Sequence, residues 1–252
     1  MQVAQAVTGV VAGLSGLPVG SYVTVLADRV PDNQNVLRPL GRCTLCQARL
    51  RLADMIPVGS WLRLHGRCPA CRKPFGVRYL VAELLTAAVF AALGARLGPS
   101  VLLIAMCYLS ATGLALALID IEHQRLPFAL TIPSYFAMAA LLATAAPYEA
   151  GRWRHLAGSL AGMLVLWLFY AALACLLPGQ LGWGDVWLAG LLGLGLGWFG
   201  TGVLITGALA GWLTAVPTAL RRIAARRNGE EAPVIALGPF MVCGAILAIL
   251  VG

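Results

Sequence analysis

The stretch VLLIAMCYLSATGLALALID, from Val101 to Asp120, decides the fold. It carries no charge before its last residue, and about 20 helical residues are what a hydrocarbon core of ~30 Å requires. It therefore reads as a membrane span that ends on an acid. Comparable apolar runs lie on both sides, and eight spans are expected, over residues 4 to 26, 79 to 97, 100 to 119, 129 to 146, 155 to 177, 185 to 199, 201 to 220 and 234 to 251. Of the 252 residues 60% are hydrophobic and 11% charged, where an ordinary soluble domain has about 25% charged. The expected fold is an all-α polytopic membrane protein.

The first span is preceded by no Lys or Arg, and its apolar stretch outlasts the roughly 7 to 15 residues of a signal-peptide core, so it reads as a retained anchor. Gly16 and Gly20, Gly158 and Gly162, and Gly207 and Gly211 have small-xxx-small spacing, which suits close helix packing. None comes after a strand pattern, so no dinucleotide or phosphate loop is expected.

A formal charge of +8 could suggest nucleic acid, but the placement of the 18 basic residues points to topology instead. Ten lie between Asp28 and Arg78, one is Arg125, and four are Arg221, Arg222, Arg226 and Arg227. Only Arg96, Arg152 and Arg154 fall on the opposite side. The excess of positive charge marks the cytoplasmic side, which puts both termini outside and the long loop inside. The four-arginine cluster, with Glu230 and Glu231 beside it, reads as a solvated loop in preference to a lipid-headgroup site.

That loop holds Cys43, Cys46, Cys68 and Cys71, two C-x2-C pairs separated by 21 residues. Each pair sets two thiolates on one turn, and two facing turns make the tetrahedral sulfur site of Zn²⁺. Two disulfides are the alternative, disfavoured in a reducing compartment. A loop of this size with few large aliphatic residues needs a staple to fold, so a structural metal is expected. Cys107, Cys175 and Cys243 stand alone in apolar runs and read as small buried hydrophobes.

Among the ten acidic residues, only Glu83, Asp120 and Asp185 fall within or at the ends of spans. An ionisable group at membrane depth costs about 2.5 to 3.5 kcal/mol on insertion scales and usually serves a function. Asp120 closes the third span and Asp185 opens the sixth, and spans four and five leave the cytoplasmic face and return to it, so both carboxylates can lie at one depth. Each has a plain reading alone, Asp185 as a helix N-cap and Asp120 as a charge at a span end. Together they suit an acid pair that shares one proton, one member acting as base on water while the other polarises a peptide carbonyl. Gly182 and Gly184 would give the chain freedom of φ and let a substrate backbone approach. His123 is a rival base, but no Ser or Cys at a strained turn and no His-Glu-x-x-His pattern accompanies it.

These segments resemble the bacterial type IV prepilin peptidases, membrane aspartic proteases with a G-x-G-D motif. The resemblance is carried by Gly20-Ser21-Tyr22 before Asp28-Arg29-Val30-Pro31, by the cysteine block with Ile56-Pro57-Val58-Gly59-Ser60-Trp61-Leu62, and by Arg78-Tyr79 through Glu83-Leu84-Leu85-Thr86. It extends through Ala117-Leu118-Ile119-Asp120, Leu126-Pro127, Leu130-Thr131-Ile132-Pro133, Gly182-Trp183-Gly184-Asp185-Val186 and Gly238-Pro239-Phe240. It implies cleavage of prepilin or pseudopilin precursors after a glycine, with Asp120 and Asp185 catalytic and Gly182, Gly184, Glu83, Gly238 and Pro239 in support. Members with the cysteine domain also methylate the new N-terminus with S-adenosylmethionine, an activity that rests here on the resemblance alone. The implied division is a first span (1–27), a four-cysteine zinc domain (28–78) and a seven-span protease core (79–252), with precursors and membrane lipid as partners and no nucleic acid.

The sequence departs from the family pattern at Thr24 (usually Asn), Phe128 (Asp after Leu-Pro), Trp187 (Lys after Gly-Asp-Val) and Ala236-Leu237 (usually Pro-Phe). Losing a cation beside Asp185 alters either the electrostatics of the pair or recognition of an acidic substrate residue. Two readings from other classes stand beside the protease: a zinc-stapled, non-enzymatic scaffold for pilus or secretion assembly, and a membrane thiol oxidoreductase using the C-x2-C pairs.

Overall fold

A computed structural model describes residues 2–36, 46, 48, 56–74, 76–176, 181–227 and 236–252. Cys43, Glu230 and Glu231 lie outside the described residues. The described chain is helical, with one isolated bridge between Arg67 and Pro74 and no strand among the described residues. It forms two compact units, Met1–Pro99 and Ser100–Gly252.

In the first unit, helix α1 (Gln2–Arg29) packs along α3 (Val77–Leu97), and the short α2 (Gly59–Arg63) lies between them in sequence. Small residues explain how close the two long helices come: a Cβ on Gly16 would stand 2.7 Å from Ala87 Cα, and one on Gly20 would stand 2.6 Å from Glu83 Cα. Between two lipid-facing helices no hydrophobic force operates, so this backbone approach supplies the van der Waals contact that joins them. Where the two helices meet the segment that joins them, Arg78 pairs with Asp28, and Tyr79 Oη donates to Asp28 Oδ2 at 2.8 Å.

The second unit contains α4 (Val101–His123), α5 (Phe128–Ala145), α6 (Arg152–Leu176), α7 (Trp183–Leu196), α8 (Thr201–Arg227) and α9 (Gly238–Val251). Ser100 caps α4, its Oγ accepting from Leu103 N at 3.2 Å. Helices α4 and α7 are apolar on every face and largely buried, as central helices must be. Around them α6 packs on α7, α8 on α9, and α4 on α5 and α9. The two acids of interest therefore stand on the two innermost helices.

Among the described residues, helices occur at all eight expected places. Six are long and apolar enough to cross a membrane: Gln2–Arg29, Val77–Leu97, Val101–His123, Phe128–Tyr148, Arg152–Leu176 and Thr201–Thr218. The chain is a multi-pass membrane protein. Helices α7 and α9 have 14 residues each, which at about 1.5 Å per residue span roughly 21 Å, short of a full core. The apolar run that suggested a span over 185 to 199 is cut by a 3₁₀ turn at Gly197–Phe199. A second difference concerns the arginine cluster: Arg221, Arg222, Arg226 and Arg227 belong to helix α8, which continues to Arg227, because Ala, Leu and Arg are strong helix formers and nothing in that segment breaks the helix.

Candidate active site and metal centre

Asp120 occupies the last turn of α4 and is buried, with 6% of its surface exposed. The helix ends four residues on, where Gln124 adopts φ 52° and donates its N–H to Asp120 O at 2.9 Å. The carboxylate is held from the far end of the unit's sequence: Gly238 N, at the first turn of α9, donates to Asp120 Oδ2 at 2.9 Å. First-turn amides have no partner inside their own helix, and a buried carboxylate is costly without one, so each satisfies the other. Only glycine permits this geometry, since a Cβ at 238 would stand 2.9 Å from the same oxygen. Pro239 comes next in the first turn, where a missing N–H removes no helical bond.

Asp185 lies in the first turn of α7 but not at its N-cap. Gly182 is the cap residue, and Asp185 is the third helical position, N3. Its N–H donates to Gly182 O at 3.1 Å, and its Oδ2 accepts from Gly182 N at 3.1 Å. The carboxylate thus turns back over the helix start, as the acid of a capping box does. The carboxylates of Asp185 and Asp120 come within coulombic range of one another. The buried ring of Tyr170, stacked on Trp212 at 6.2 Å, lies in range of Asp185 too.

The two glycines do not act through freedom of φ. Gly182 is extended at φ −81°, ψ 148°, a backbone open to any residue. Gly184 is helical, and it serves close packing: a Cβ there would meet Leu126 Cβ at 2.7 Å. The turn that comes after Asp120 therefore rests directly on the residue that precedes Asp185. His123 is exposed on the last turn of α4.

In the first unit, Glu83 joins three segments. Its Oε1 accepts from Ser21 Oγ on α1, and its Oε2 accepts from Val58 N at 2.7 Å. Val58 has φ 58°, unfavourable for a β-branched residue, and the charge-assisted bond to Glu83 holds it there. Thr24 is buried and bonds locally to Ser21 O at 2.7 Å.

Cys46, Cys68 and Cys71 place their sulfur atoms within 4.8 Å of one another, a group that could hold a metal ion. Cys46 and Cys68 Sγ are 4.0 Å apart, close to the roughly 3.8 Å edge of a tetrahedron with ~2.3 Å Zn–S bonds and about twice a disulfide length. The Cys68–Cys71 turn is shaped for this: Arg72 N donates to Cys68 O and Cys68 N to Lys73 O, both at 2.9 Å. The donor set suits zinc. Sequence reasoning identified these cysteines and both acids, but gave no role to the Gly238 amide and did not single out Tyr135, Trp167 or Tyr170. Their only signal was a hydroxyl or indole placed in an otherwise apolar run.

Two family models match the chain: the bacterial peptidase A24 N-terminal domain over residues 14–97, and the type IV leader peptidase family over residues 107–249. Curated relatives carry the name prepilin leader peptidase/N-methyltransferase. That of Myxococcus xanthus (strain DK1622) is 36% identical over 219 residues, covering 86% of this chain and 64% of the relative. That of Aeromonas hydrophila is 33% identical over 266 residues, covering 95% and 89%. That of Klebsiella pneumoniae is 36% identical over 195 residues, covering 73% and 83%. No solved structure matches the chain significantly.

Proposed function

The chain belongs to the type IV leader peptidase family, and on that premise we propose that it cleaves the leader from prepilin-like precursors after a glycine and methylates the new N-terminus. The observation that carries the hydrolytic half is the pair Asp120 and Asp185 on the two innermost helices, with the turn after Asp120 resting through Leu126 on Gly184, the residue before Asp185.

Two carboxylates so placed do not both ionise readily, and they hold one proton between them. The ionised member takes a proton from water as its oxygen adds to the scissile carbonyl. The protonated member donates a hydrogen bond to the carbonyl oxygen as that oxygen gains charge. Collapse of the tetrahedral intermediate breaks the C–N bond, and the amine leaves with a proton. The leader keeps a carboxyl group and the mature protein a free amine. Gly238 N–H and Gly182 N–H fix the two carboxylates in orientation, and such preorganisation is what lowers the barrier. A precursor whose apolar helix lies in the bilayer presents its scissile bond at the membrane boundary, the depth at which the spans end.

Cys43, Cys46, Cys68 and Cys71 would hold a structural Zn²⁺ and thereby order the 28–78 segment, the middle of three parts with 1–27 as first span and 79–252 as protease core. S-adenosylmethionine, when bound, supplies the methyl group. The excess of Arg and Lys in the 28–78 loop supports placement in the inner membrane with the acids and cysteines cytoplasmic and both termini outside. Glu83 supports the segment entering the cysteine turn, and Gly182, Gly184, Gly238 and Pro239 shape the acid site.

The test is to co-express the chain with pilin-like precursors from its own source and read the mature N-terminus by mass spectrometry. A new terminus directly after a glycine, heavier by one methyl group, is expected. Intact precursor in the presence of folded enzyme would leave the scaffold reading standing. Reversible disulfides with no bound zinc would favour the thiol oxidoreductase.

A further inference from the structure

Aromatic and aliphatic contacts surround the start of α7, two residues beyond Asp185. Trp187 is the hub: the rings of Phe128, Tyr135 and Trp167 stand edge-on to it, with centroids at 6.2, 5.9 and 6.1 Å. Tyr135 Oη also donates to Trp187 O at 2.6 Å, and Leu126 closes on Gly184. Phe128 begins α5, directly after the turn that leaves Asp120. The short covalent path out from Asp120 therefore runs into a side chain that grips the turn bearing Asp185. Edge-to-face rings fix distance and tilt more narrowly than aliphatic contact does.

We propose that Phe128 and Trp187 form a single positioning element that sets where Asp185 stands relative to Asp120. The inference rests on Asp120 and Asp185 being the catalytic pair. Neither ring touches the reacting atoms. Their effect is on the geometry of the carboxylates, where a misplacement of about 1 Å can cost on the order of a hundredfold in rate.

The test uses the full chain in phosphatidylethanolamine–phosphatidylglycerol vesicles and a precursor with a basic leader, a glycine and an apolar helix, measuring kcat and KM for each variant and melting in parallel. Asp185→Asn is run first. If it still cleaves, the catalytic assignment has failed, and that failure is distinct from a failure of the positioning role. Phe128→Ala and Trp187→Ala are expected to lower kcat by about 10- to 100-fold with KM nearly unchanged. The double alanine variant should be no slower than the worse single one, because both remove one shared contact. Trp187→Phe, which keeps an edge-on ring, should retain most activity. Phe128→Leu, which keeps much of the volume but no ring edge, should lose activity as Phe128→Ala does. Additive alanine losses, a rise in KM in place of a fall in kcat, or wild-type kcat in folded Phe128→Leu would overturn the proposal. Should an alanine variant fail to fold, Trp187→Phe and Phe128→Leu decide it alone.

Discussion

Replacing Gly238 by Ala should disable the enzyme without unfolding it. The residue is in the first turn of α9 with an ordinary backbone, and it is absent from the positive-φ glycines. Ala is a better helix former by up to about 1 kcal/mol, so stability should hold or rise. The new Cβ would stand 2.9 Å from Asp120 Oδ2 and 3.4 Å from its Cγ. The backbone around it is packed, and the carboxylate is the end of a side chain, so the carboxylate is what moves. That movement lengthens or breaks the 2.9 Å bond from Gly238 N. A hydrogen bond to a charged group contributes about 1.5 to 3 kcal/mol, and each ~1.4 kcal/mol is a factor of ten in rate. Precursor cleavage by Gly238→Ala should therefore fall by about 10- to 150-fold with KM little changed, measured in vesicles beside a thermal melt. Wild-type kcat in a folded Gly238→Ala enzyme would refute the idea that this amide positions the carboxylate.

Gly184→Ala should also lower cleavage, because its Cβ meets Leu126 Cβ at 2.7 Å; a loss of about tenfold or more in kcat is expected, partly restored when Leu126→Ala is added and the space reopens. Glu83→Ala removes the acceptor for Ser21 and for the Val58 amide, and should lower the melting temperature by the equivalent of about 1 to 3 kcal/mol and weaken zinc retention, read by metal analysis of the purified protein. Cys68→Ser, at a buried position of the sulfur group, should abolish zinc binding and methylation while leaving hydrolysis, measured on the same precursor by mass spectrometry. Loss of cleavage in a zinc-free but folded Cys68→Ser enzyme would contradict a purely structural role for the metal.

Much of this site was legible in the sequence, and the reason is physical. An acid in an apolar run is conspicuous, so Asp120 and Asp185 stood out, and C-x2-C spacing is a local property of a turn. Helix ends were less visible. The Leu- and Gly-rich segment after Asp185 is apolar throughout, so nothing in its periodicity announced the 3₁₀ turn at Gly197–Phe199. The arginines of α8 looked like a loop because charge was weighed above helix propensity, and propensity won. Asp185 looked like an N-cap because Asp often is one, but with Gly182 at the cap the acid is three positions in and reaches back. Least legible were the contacts that reach far along the chain. Gly238 meets Asp120 across 118 positions, and Tyr135 meets Trp187 across 52. No local pattern encodes such pairs. The glycines at 184 and 238 were noticed for their motifs, and their purpose, leaving room for Leu126 and for a carboxylate oxygen, appears only once both partners are placed.

Hydrolysis by two carboxylates acting together is tested most directly by single-turnover cleavage with Asp120→Asn, Asp185→Asn and the double variant, each reconstituted, folded and given the same precursor. Groups that act as one unit lose nearly everything when either is removed. Each single variant should fall to the uncatalysed background, with the double variant no lower. Substantial cleavage by either single variant would contradict the two-carboxylate mechanism.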